Sequence, residues 1–146
     1  MSVNVLSHGI DMVDCRRVQE LIDRYGQRFL GRVFTPAELE YCCRRKRQVE
    51  HLAGRFAAKE AVLKALGTGW QNGISWTDVE VHNDPAGCPG VRLTGPCRRI
   101  AEQRGLAEIL ISITHTDTHA IASAIGTAET APAPRNCESR APDKRE

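Results

Sequence analysis

The segment His51–Leu66 constrains the fold more than any other part of the chain, because it carries the pattern of a long helix. Its large apolar residues recur at helical spacing, and several alanines between them favour helix and permit close packing. Gly67 ends the pattern, as glycine commonly does after the last turn of a helix. The sequence therefore predicts one long, closely packed helix and a glycine-rich loop that runs past Gly73.

The chain before this helix begins with a predicted strand, Val3–Val13, which is short, apolar and rich in β-branched residues. Its alternation places Ile10 and Met12 on one face and Asp11 on the other. A charged residue on the apolar side of a strand is costly unless it is paired or holds a metal. Asp11 is therefore a candidate functional residue.

Two shorter helices are predicted between the strand and the long helix. Asp14 suits the N-cap of a helix over Cys15–Tyr25, which ends near Gly26. The sequence Thr35-Pro36-Ala37-Glu38 supplies the N-cap, the proline and the glutamate of a capping box. It predicts a helix that runs to about Arg44.

The second half of the chain predicts two pairs of strands around another helix. The predicted segments are the strands Asp78–His82 and Val91–Leu93, the helix Pro96–Arg104, and the strands Glu108–Thr114 and His119–Ile125, the last two joined as a hairpin. This mixed order indicates an α+β fold. We expect one domain over residues 1–126, with the long helix packed on a small antiparallel sheet.

From Thr127 onward the composition changes to Ala, Pro and charged residues, with almost no large apolar side chain. Such a segment cannot bury enough apolar surface to order itself, so we expect residues 127–146 to form a disordered tail.

Composition argues against several classes of protein. No segment approaches the roughly 18 apolar residues that span a bilayer, and residues 1–8 lack the pattern of a signal peptide. A net charge of +2 and 5% aromatic residues disfavour nucleic-acid binding. The six cysteines form no C-x-x-C pair, which favours reduced thiols and a cytoplasmic protein.

Basic residues are clustered rather than evenly spread. The residues 44–47 form one basic run, and a looser set consists of Arg16, Arg17, Arg24 and Arg28. Such clusters suit a phosphate-rich small molecule or an acidic protein, and the alternative is a solvated helical face.

Two carboxylates on separate elements, Asp11 and Glu60, could form a hard oxygen site. Magnesium typically takes one or two protein carboxylates and completes its shell with substrate phosphates and water. Lys64 lies four residues after Glu60, hence on the same helical face, and a lysine beside a glycine-rich loop suits phosphate oxygens. These residues favour metal-dependent phosphoryl chemistry, with an ordinary helical ion pair between Glu60 and Lys64 as the alternative.

His115 lies at the end of a predicted strand beside a hairpin turn. A single histidine in that position is commonly a capping or surface residue. His115 and His119 could also face a zinc ion, but no third ligand is evident.

Four segments of the chain resemble the holo-acyl-carrier-protein synthase family of phosphopantetheinyl transferases. They are Gly9-Ile10-Asp11-Met12-Val13-Asp14, Phe34-Thr35-Pro36-Ala37-Glu38, the sequence from Arg55 to Gly69 (RFAAKEAVLKALGTG), and Ile111-Ser112-Ile113-Thr114-His115-Thr116. Their order and spacing match over about residues 3–126. Asp14 stands where the family usually has glutamate, and Thr114 replaces a common serine.

The resemblance implies a small α+β domain that assembles as a homotrimer, with active sites in clefts between neighbouring subunits. By position, it implies that Asp11 and Glu60 bind Mg²⁺ and that Lys64 contacts the phosphates or supports the leaving group. Coenzyme A would meet His115, Gly67, Thr68 and Gly69, and Arg45 in the basic run. The set Arg16, Arg17, Arg24 and Arg28 would dock the acidic carrier protein.

The reaction that the resemblance implies is transfer of 4′-phosphopantetheine from coenzyme A to a serine of apo-acyl carrier protein, in support of fatty acid biosynthesis. Glu60 is the candidate base, acting through a bound water, whereas Glu38 is less favoured because it fits the capping box. A transferase that serves a polyketide or peptide synthase carrier, and a non-catalytic module that retains the fold, are the alternatives.

Overall fold

The chain folds into five α-helices and two antiparallel sheets within residues 2–71 and 73–129, which are the residues that the structure, a computed structural model, describes. The elements in chain order are β1 (Val3–Asp14), α1 (Cys15–Tyr25), α2 (Gln27–Val33), α3 (Pro36–Cys43), α4 (Gln48–Leu66), a 3₁₀ turn (Trp76–Asp78), β2 (Val79–Asn83), β3 (Pro89–Leu93), α5 (Gly95–Gln103), β4 (Glu108–His115) and β5 (His119–Glu129).

Helix α4 lies at the centre of the fold. It packs against β1, β5 and β4 on one side and against α1, α3 and β2 on the others, so it is buried almost all round. Leu52, Leu63 and Leu66 are fully buried, as their spacing predicts. The helix begins three residues before the predicted start and ends at Gly67, which adopts the left-handed conformation with φ of 72°.

The main sheet is antiparallel and has the strand order β1-β5-β4. In its register Asp11 lies opposite Ala122, and Ser112 lies opposite Ser123. Strands β2 and β3 form a separate antiparallel hairpin. The predicted α+β class, with a long helix on a small antiparallel sheet, is confirmed.

Strand β1 crosses helix α4 at Gly9 with no room for a side chain. A Cβ atom built at Gly9 would overlap the carbonyl oxygen of Ala61 and would lie 2.8 Å from the amide nitrogen of Ala65. Two backbones can approach this closely only where one residue has no Cβ. The crossing therefore fixes β1, and with it Asp11, close against the helix that carries Glu60.

The helix starts follow the predicted capping chemistry. The Asp14 carboxylate accepts a hydrogen bond of 2.8 Å from the backbone N–H of Arg16, so this short acidic residue serves as the N-cap of α1. Thr35 and Glu38 form the predicted capping box at the start of α3.

Two segments differ from the sequence predictions. Helix α2, Gln27–Val33, was not predicted, because seven residues with a glycine among them show too little periodicity to be recognised. Strand β5 continues to Glu129, three residues beyond the predicted boundary at 126, because its end pairs with β1 and β4. The rest of the predicted tail, 130–146, lies outside the described residues.

A buried ion pair connects α3, α4 and β2. Lys59 Nζ lies 2.7 Å from Glu38 Oε1, and both side chains are fully buried. Lys59 also donates to the carbonyl oxygens of Trp76 and Val79, and Glu38 Oε2 accepts from the N–H of Val81 at 3.0 Å. The pair therefore bonds directly to β2 and to the 3₁₀ turn before it, and holds both against the helices.

The face of the main sheet opposite α4 is apolar and exposed. Met12 and Ile121 lie opposite each other across β1 and β5 and are 63% and 36% exposed. Ile10 and Leu110 are also exposed large apolar residues. Contiguous apolar patches of this kind mark interaction surfaces.

In the described part of the chain, no helix is both long and apolar enough to cross a membrane.

Candidate active site

Asp11, Lys64 and Glu60 are brought together by the crossing of β1 over α4. Lys64 Nζ lies 3.1 Å from Asp11 Oδ1 and donates a hydrogen bond of 2.8 Å to the carbonyl oxygen of Ile10. The ion pair that the structure forms thus joins Lys64 to Asp11 across two elements, rather than to Glu60 along the helix. Lys64 is half exposed, so its ammonium group remains accessible from solvent.

The Glu60 carboxylate lies in a partly buried environment beside Asp11. Burial raises its pKa above the ordinary glutamate value, and the negative charge of Asp11 raises that pKa further. A hydrogen bond from Trp70 Nε1 to Glu60 Oε1, 3.3 Å long, acts in the opposite direction. A cation between the two carboxylates would offset the effect of the Asp11 charge on Glu60.

Both carboxylates line one cleft of about 560 Å³, which we call the acidic cleft. Its lining consists of Asp11, Met12, Val13, Asp14, Arg17, Phe56, Glu60, Trp70, Trp76 and His119. Arg17 brings a positive charge to its rim, and the aromatic rings of Phe56, Trp70 and Trp76 form one wall. The cleft thus combines acidic, basic and apolar surface.

The chemistry of the acidic cleft fits a magnesium ion that binds together with a phosphate ligand. Its ligand atoms would be carboxylate oxygens, which Mg²⁺ prefers, and two carboxylates are the usual protein contribution when substrate phosphates complete the shell. Within residues 2–71 and 73–129 there is no group of three or more His, Cys, Asp or Glu side chains that could hold a metal ion. The residues present are therefore suited to a metal ion that substrate phosphates help to bind, and less to a metal ion that protein side chains hold alone.

His115 lies in a second cavity, of about 190 Å³, which we call the histidine pocket. Its lining consists of Tyr41, His51, Gly54, Arg55, Asn83, Gly87, Pro89, Ile113 and His115. His115 Nδ1 lies 3.0 Å from Glu50 Oε2, and the His51 ring packs edge-on against the His115 ring with centroids 5.1 Å apart. Burial lowers the pKa of His51, and the neighbouring charges of His115, Arg45 and Arg55 lower that pKa further.

Two arginines flank Tyr41 at this pocket. The guanidinium carbons of Arg45 and Arg55 each lie 4.1 Å from the centroid of the Tyr41 ring. Arg55 is buried and donates to Asn83 Oδ1 at 2.7 Å, yet its Nε–H group has no hydrogen-bond partner among the described residues. A buried guanidinium with a spare donor beside two histidines favours an anionic ligand.

The glycine-rich loop begins at the C-terminal end of α4. The N–H groups of Gly67 and Thr68 donate to helix carbonyls, among them Leu63 O at 3.3 Å from Thr68, so they close the helix. The helix end itself carries partial negative charge. Neither feature supports an anion at this loop, so the contact of Gly67, Thr68 and Gly69 with coenzyme A stays a prediction. The positive charge nearest to the loop in sequence is that of Lys64.

The predicted site residues thus fall into two groups within one chain. Asp11, Glu60 and Lys64 converge at the acidic cleft, whereas His115 lines the histidine pocket and Arg45 packs on Tyr41 beside it. His119 lines the acidic cleft, so the two histidines of the zinc alternative border different cavities.

Glu38, the less favoured candidate base, is fully buried in its pair with Lys59. It therefore has a structural role, as its place in the capping box predicts.

Several contacts at the two cavities were missed by the sequence analysis. They involve Tyr41, Glu50, His51, Arg55, Trp70 and Asn83. Each contact joins residues far apart in sequence, so no local pattern could reveal it. The signal that was available was composition, since both tryptophans of the chain fall in or beside the loop after α4.

Fold and site together define an α+β protein with two carboxylates and a lysine in a cleft suited to phosphate chemistry. Residues 7–124 match the model of the 4′-phosphopantetheinyl transferase superfamily. The chain belongs to this superfamily.

Relatives and solved structures agree with the family assignment. The holo-[acyl-carrier-protein] synthase of Koribacter versatilis is 44% identical over 121 residues, which cover 83% of this chain and 97% of that protein. The crystal structure of the holo-[acyl-carrier-protein] synthase of Neisseria meningitidis has a TM-score of 0.76 and 31% identity, covering 84% of this chain and 98% of that one. The Helicobacter pylori enzyme, solved in complex with coenzyme A, has a TM-score of 0.72 and 29% identity, covering 82% and 98%.

Proposed function

We propose that this chain transfers the 4′-phosphopantetheine group of coenzyme A to a serine of apo-acyl carrier protein and so supports fatty acid biosynthesis. The products are the holo-carrier and adenosine 3′,5′-bisphosphate. The observation that carries the proposal is the convergence of Asp11, Glu60 and Lys64 at one cleft, in a chain of the 4′-phosphopantetheinyl transferase superfamily.

The proposal assigns the magnesium ligands to Asp11 and Glu60. When bound, Mg²⁺ would neutralise charge on the pyrophosphate of coenzyme A as the transfer proceeds. The raised pKa of Glu60, which burial and the nearby charge of Asp11 cause, supports this assignment because a cation would relieve both effects.

The chain's own residues supply positioning and charge in the transfer. The serine oxygen forms a bond to the phosphorus that bears pantetheine, and the bond from that phosphorus to the bridging oxygen breaks. The electron pair of the broken bond leaves with adenosine 3′,5′-bisphosphate, and the accessible ammonium of Lys64 stabilises the charge that develops there. Glu60 accepts the serine proton through a water molecule, a role that its place in the lining of the acidic cleft supports.

We assign the nucleotide end of coenzyme A to the residues at the histidine pocket, with His115 and Arg45 in contact with its anionic groups. The spare donor of Arg55 supports an anion in that place. In one chain the histidine pocket and the acidic cleft are lined by different residues. A homotrimer, in which neighbouring subunits bring the two cavities to one ligand, is part of the proposal, and the exposed apolar sheet face around Met12 and Ile121 supports it.

The docking surface for the acidic carrier is assigned to Arg16, Arg17, Arg24 and Arg28. All four are exposed, and Arg17 also lines the acidic cleft, so a carrier bound there would lie beside the reacting groups.

A cytoplasmic location belongs to the same proposal. The cysteines that fall within the described residues are free, and the burial of Cys15, Cys42 and Cys97 protects their thiols.

The test is an intact-mass assay with apo-acyl carrier protein, coenzyme A and Mg²⁺. We expect the carrier to gain one phosphopantetheine group with the wild-type protein. Glu60→Gln should slow the transfer by about 100-fold or more, since charge stabilisation of this kind is typically worth 10²–10³ in rate. Glu102→Gln is the matched control, because Glu102 forms an exposed ion pair with Arg98 outside the acidic cleft.

The carrier is varied in the second part of the test. A panel of apo-carriers from fatty acid, polyketide and peptide synthases would separate the proposed substrate from the alternative transferases. Failure of folded wild-type protein to modify any carrier would overturn the proposal and favour a non-catalytic module that binds coenzyme A.

A further inference from the structure

Trp70 donates the only hydrogen bond that the Glu60 carboxylate receives from the described residues. The indole Nε1 lies 3.3 Å from Glu60 Oε1, ten positions away along the chain. Trp70 is half-buried and lines the acidic cleft. The contact leaves Oε2 of the same carboxylate without a hydrogen bond inside the described part of the chain.

A continuous stack of aromatic rings holds the Trp70 indole in place. Its ring lies 3.6 Å, centroid to centroid, from the ring of Trp76, which in turn lies 4.9 Å from Phe56 on α4. The carbonyl oxygen of Trp76 accepts a hydrogen bond of 3.1 Å from the buried Lys59. The donor to Glu60 is thus supported from the core, although Trp70 itself stands on the glycine-rich loop.

The hydrogen bond restricts the orientation of the Glu60 carboxylate. Donors to the outer oxygen of a ligating carboxylate orient it and tune its affinity.

We propose that Trp70 is a positioning residue for the metal site: its indole N–H holds one oxygen of the Glu60 carboxylate so that the second oxygen is oriented to bind the divalent cation. This inference rests on the proposed assignment of Mg²⁺ to Asp11 and Glu60. It goes beyond that assignment because it says what the aromatic wall of the acidic cleft does: it supports the indole that orients the Glu60 carboxylate.

The test measures metal affinity directly, with Mn²⁺ as the probe and coenzyme A present in every sample. The electron paramagnetic resonance signal of free Mn²⁺ gives the dissociation constant for the wild-type protein and for Trp70→Phe. Phenylalanine preserves a ring for the stack and removes the N–H donor. We expect the dissociation constant to rise by about 10- to 100-fold, as is typical when an outer-shell partner of a metal ligand is lost.

Tyr25→Phe is the matched control, because Tyr25 is an exposed ring that lines neither the acidic cleft nor the histidine pocket. Its dissociation constant for Mn²⁺ should stay within about threefold of the wild-type value, well short of the 10-fold effect expected for a partner of the metal ligand. Thermal unfolding of both variants shows whether the fold is retained.

Fluorescence supplies a second readout. The chain has two tryptophans, so Trp76→Phe leaves Trp70 as the sole indole fluorophore. We expect its emission to change saturably with Mg²⁺ and to stop responding when Glu60→Gln is added to the same chain.

The outcomes separate this inference from the function on which it rests. Equal Mn²⁺ affinity of the wild-type protein and a folded Trp70→Phe, with affinity lost in Glu60→Gln, would overturn the role of Trp70 and leave the metal assignment intact. A wild-type protein that binds no Mn²⁺ but still modifies the carrier would overturn both the metal assignment and this inference.

Discussion

The Glu50 carboxylate lies 3.0 Å from His115 Nδ1, although the two residues are 65 positions apart in the sequence. Glu50 is buried at 9% exposure, and its other oxygen lies 3.6 Å from Arg47. A carboxylate at this distance accepts the Nδ1–H of the imidazole, which fixes the ring orientation and leaves Nε2 as the nitrogen for a ligand. Glu50 therefore orients the His115 ring within the histidine pocket, to which we assign the nucleotide end of coenzyme A.

Glu50→Gln and His115→Ala should each raise the KM for coenzyme A, and their effects should not add. Because Glu50 acts through His115, the double variant should resemble His115→Ala, with a coupling energy in the range of about 0.5–3 kcal/mol that residues in direct contact show. Steady-state kinetics at several coenzyme A concentrations measures the cycle. Additive effects would mean that Glu50 contributes to binding independently of the histidine.

Lys59→Met should destabilise the fold strongly, because it leaves the buried charge of Glu38 without its partner. Breaking a buried pair from one side typically costs about 3–5 kcal/mol. Urea unfolding gives the free energy of unfolding. Adding Glu38→Gln to this variant should restore part of the loss, since glutamine removes the charge and still fits the capping box.

A loss of less than about 1 kcal/mol in Lys59→Met would contradict the role of the pair, since that is the range of an exposed ion pair.

Stability should fall as the pH drops below the ordinary pKa of histidine, in part because of His51. Burial lowers the pKa of His51 in the folded state, with further lowering by His115 and the nearby arginines, so the unfolded chain binds a proton at a higher pH than the folded chain does. This contribution to stability is complete above about pH 6.5 and is lost as the pH falls towards the folded pKa.

Thermal unfolding of the wild-type protein and of His51→Gln between neutral and mildly acidic pH would check this expectation. The variant should show a smaller loss of stability over that interval. Parallel curves for the two proteins would exclude His51 as a source of the acid sensitivity.

The cysteines should divide sharply in their reactivity. Burial raises the pKa of the Cys42 and Cys97 thiols to about 11, so almost no thiolate is present at pH 8. Cys43 and Cys88 are exposed. Brief alkylation of the native protein followed by peptide mass mapping should label Cys43 and Cys88 and spare Cys42 and Cys97 until urea is added. Early labelling of Cys97 would indicate local opening around α5.

The parts of the fold that depend on local patterns could be predicted from the sequence. Helix α3 begins with its capping box as expected, and Asp14 caps α1. Helix α4 was predicted over most of its length, since its apolar residues repeat at helical spacing. Its start was placed three residues late, because Gln48 and Glu50 are polar and interrupt that pattern.

Contacts across the fold could not be predicted, because they depend on tertiary packing. Nothing in the local sequence distinguishes the fully buried Lys59 from the half-exposed Lys64, which lie on the same helix and differ only in what packs over them. The two cavities, with Glu50 beside His115 and Trp70 beside Glu60, arise in the same way. The family resemblance identified the candidate site residues, and the structure adds the side chains that contact Glu60 and His115.

Gly9 gives the acidic cleft its dimensions without contributing an atom to its chemistry. Since β1 and α4 touch backbone to backbone there, the separation of the two backbone segments that carry Asp11 and Glu60 is set by peptide groups. A methyl group added at Gly9 would meet backbone atoms of α4, which cannot move aside as a side chain can. The distance between the strand that carries Asp11 and the helix that carries Glu60 therefore depends on the absence of one carbon atom, the Cβ of Gly9, two residues before Asp11.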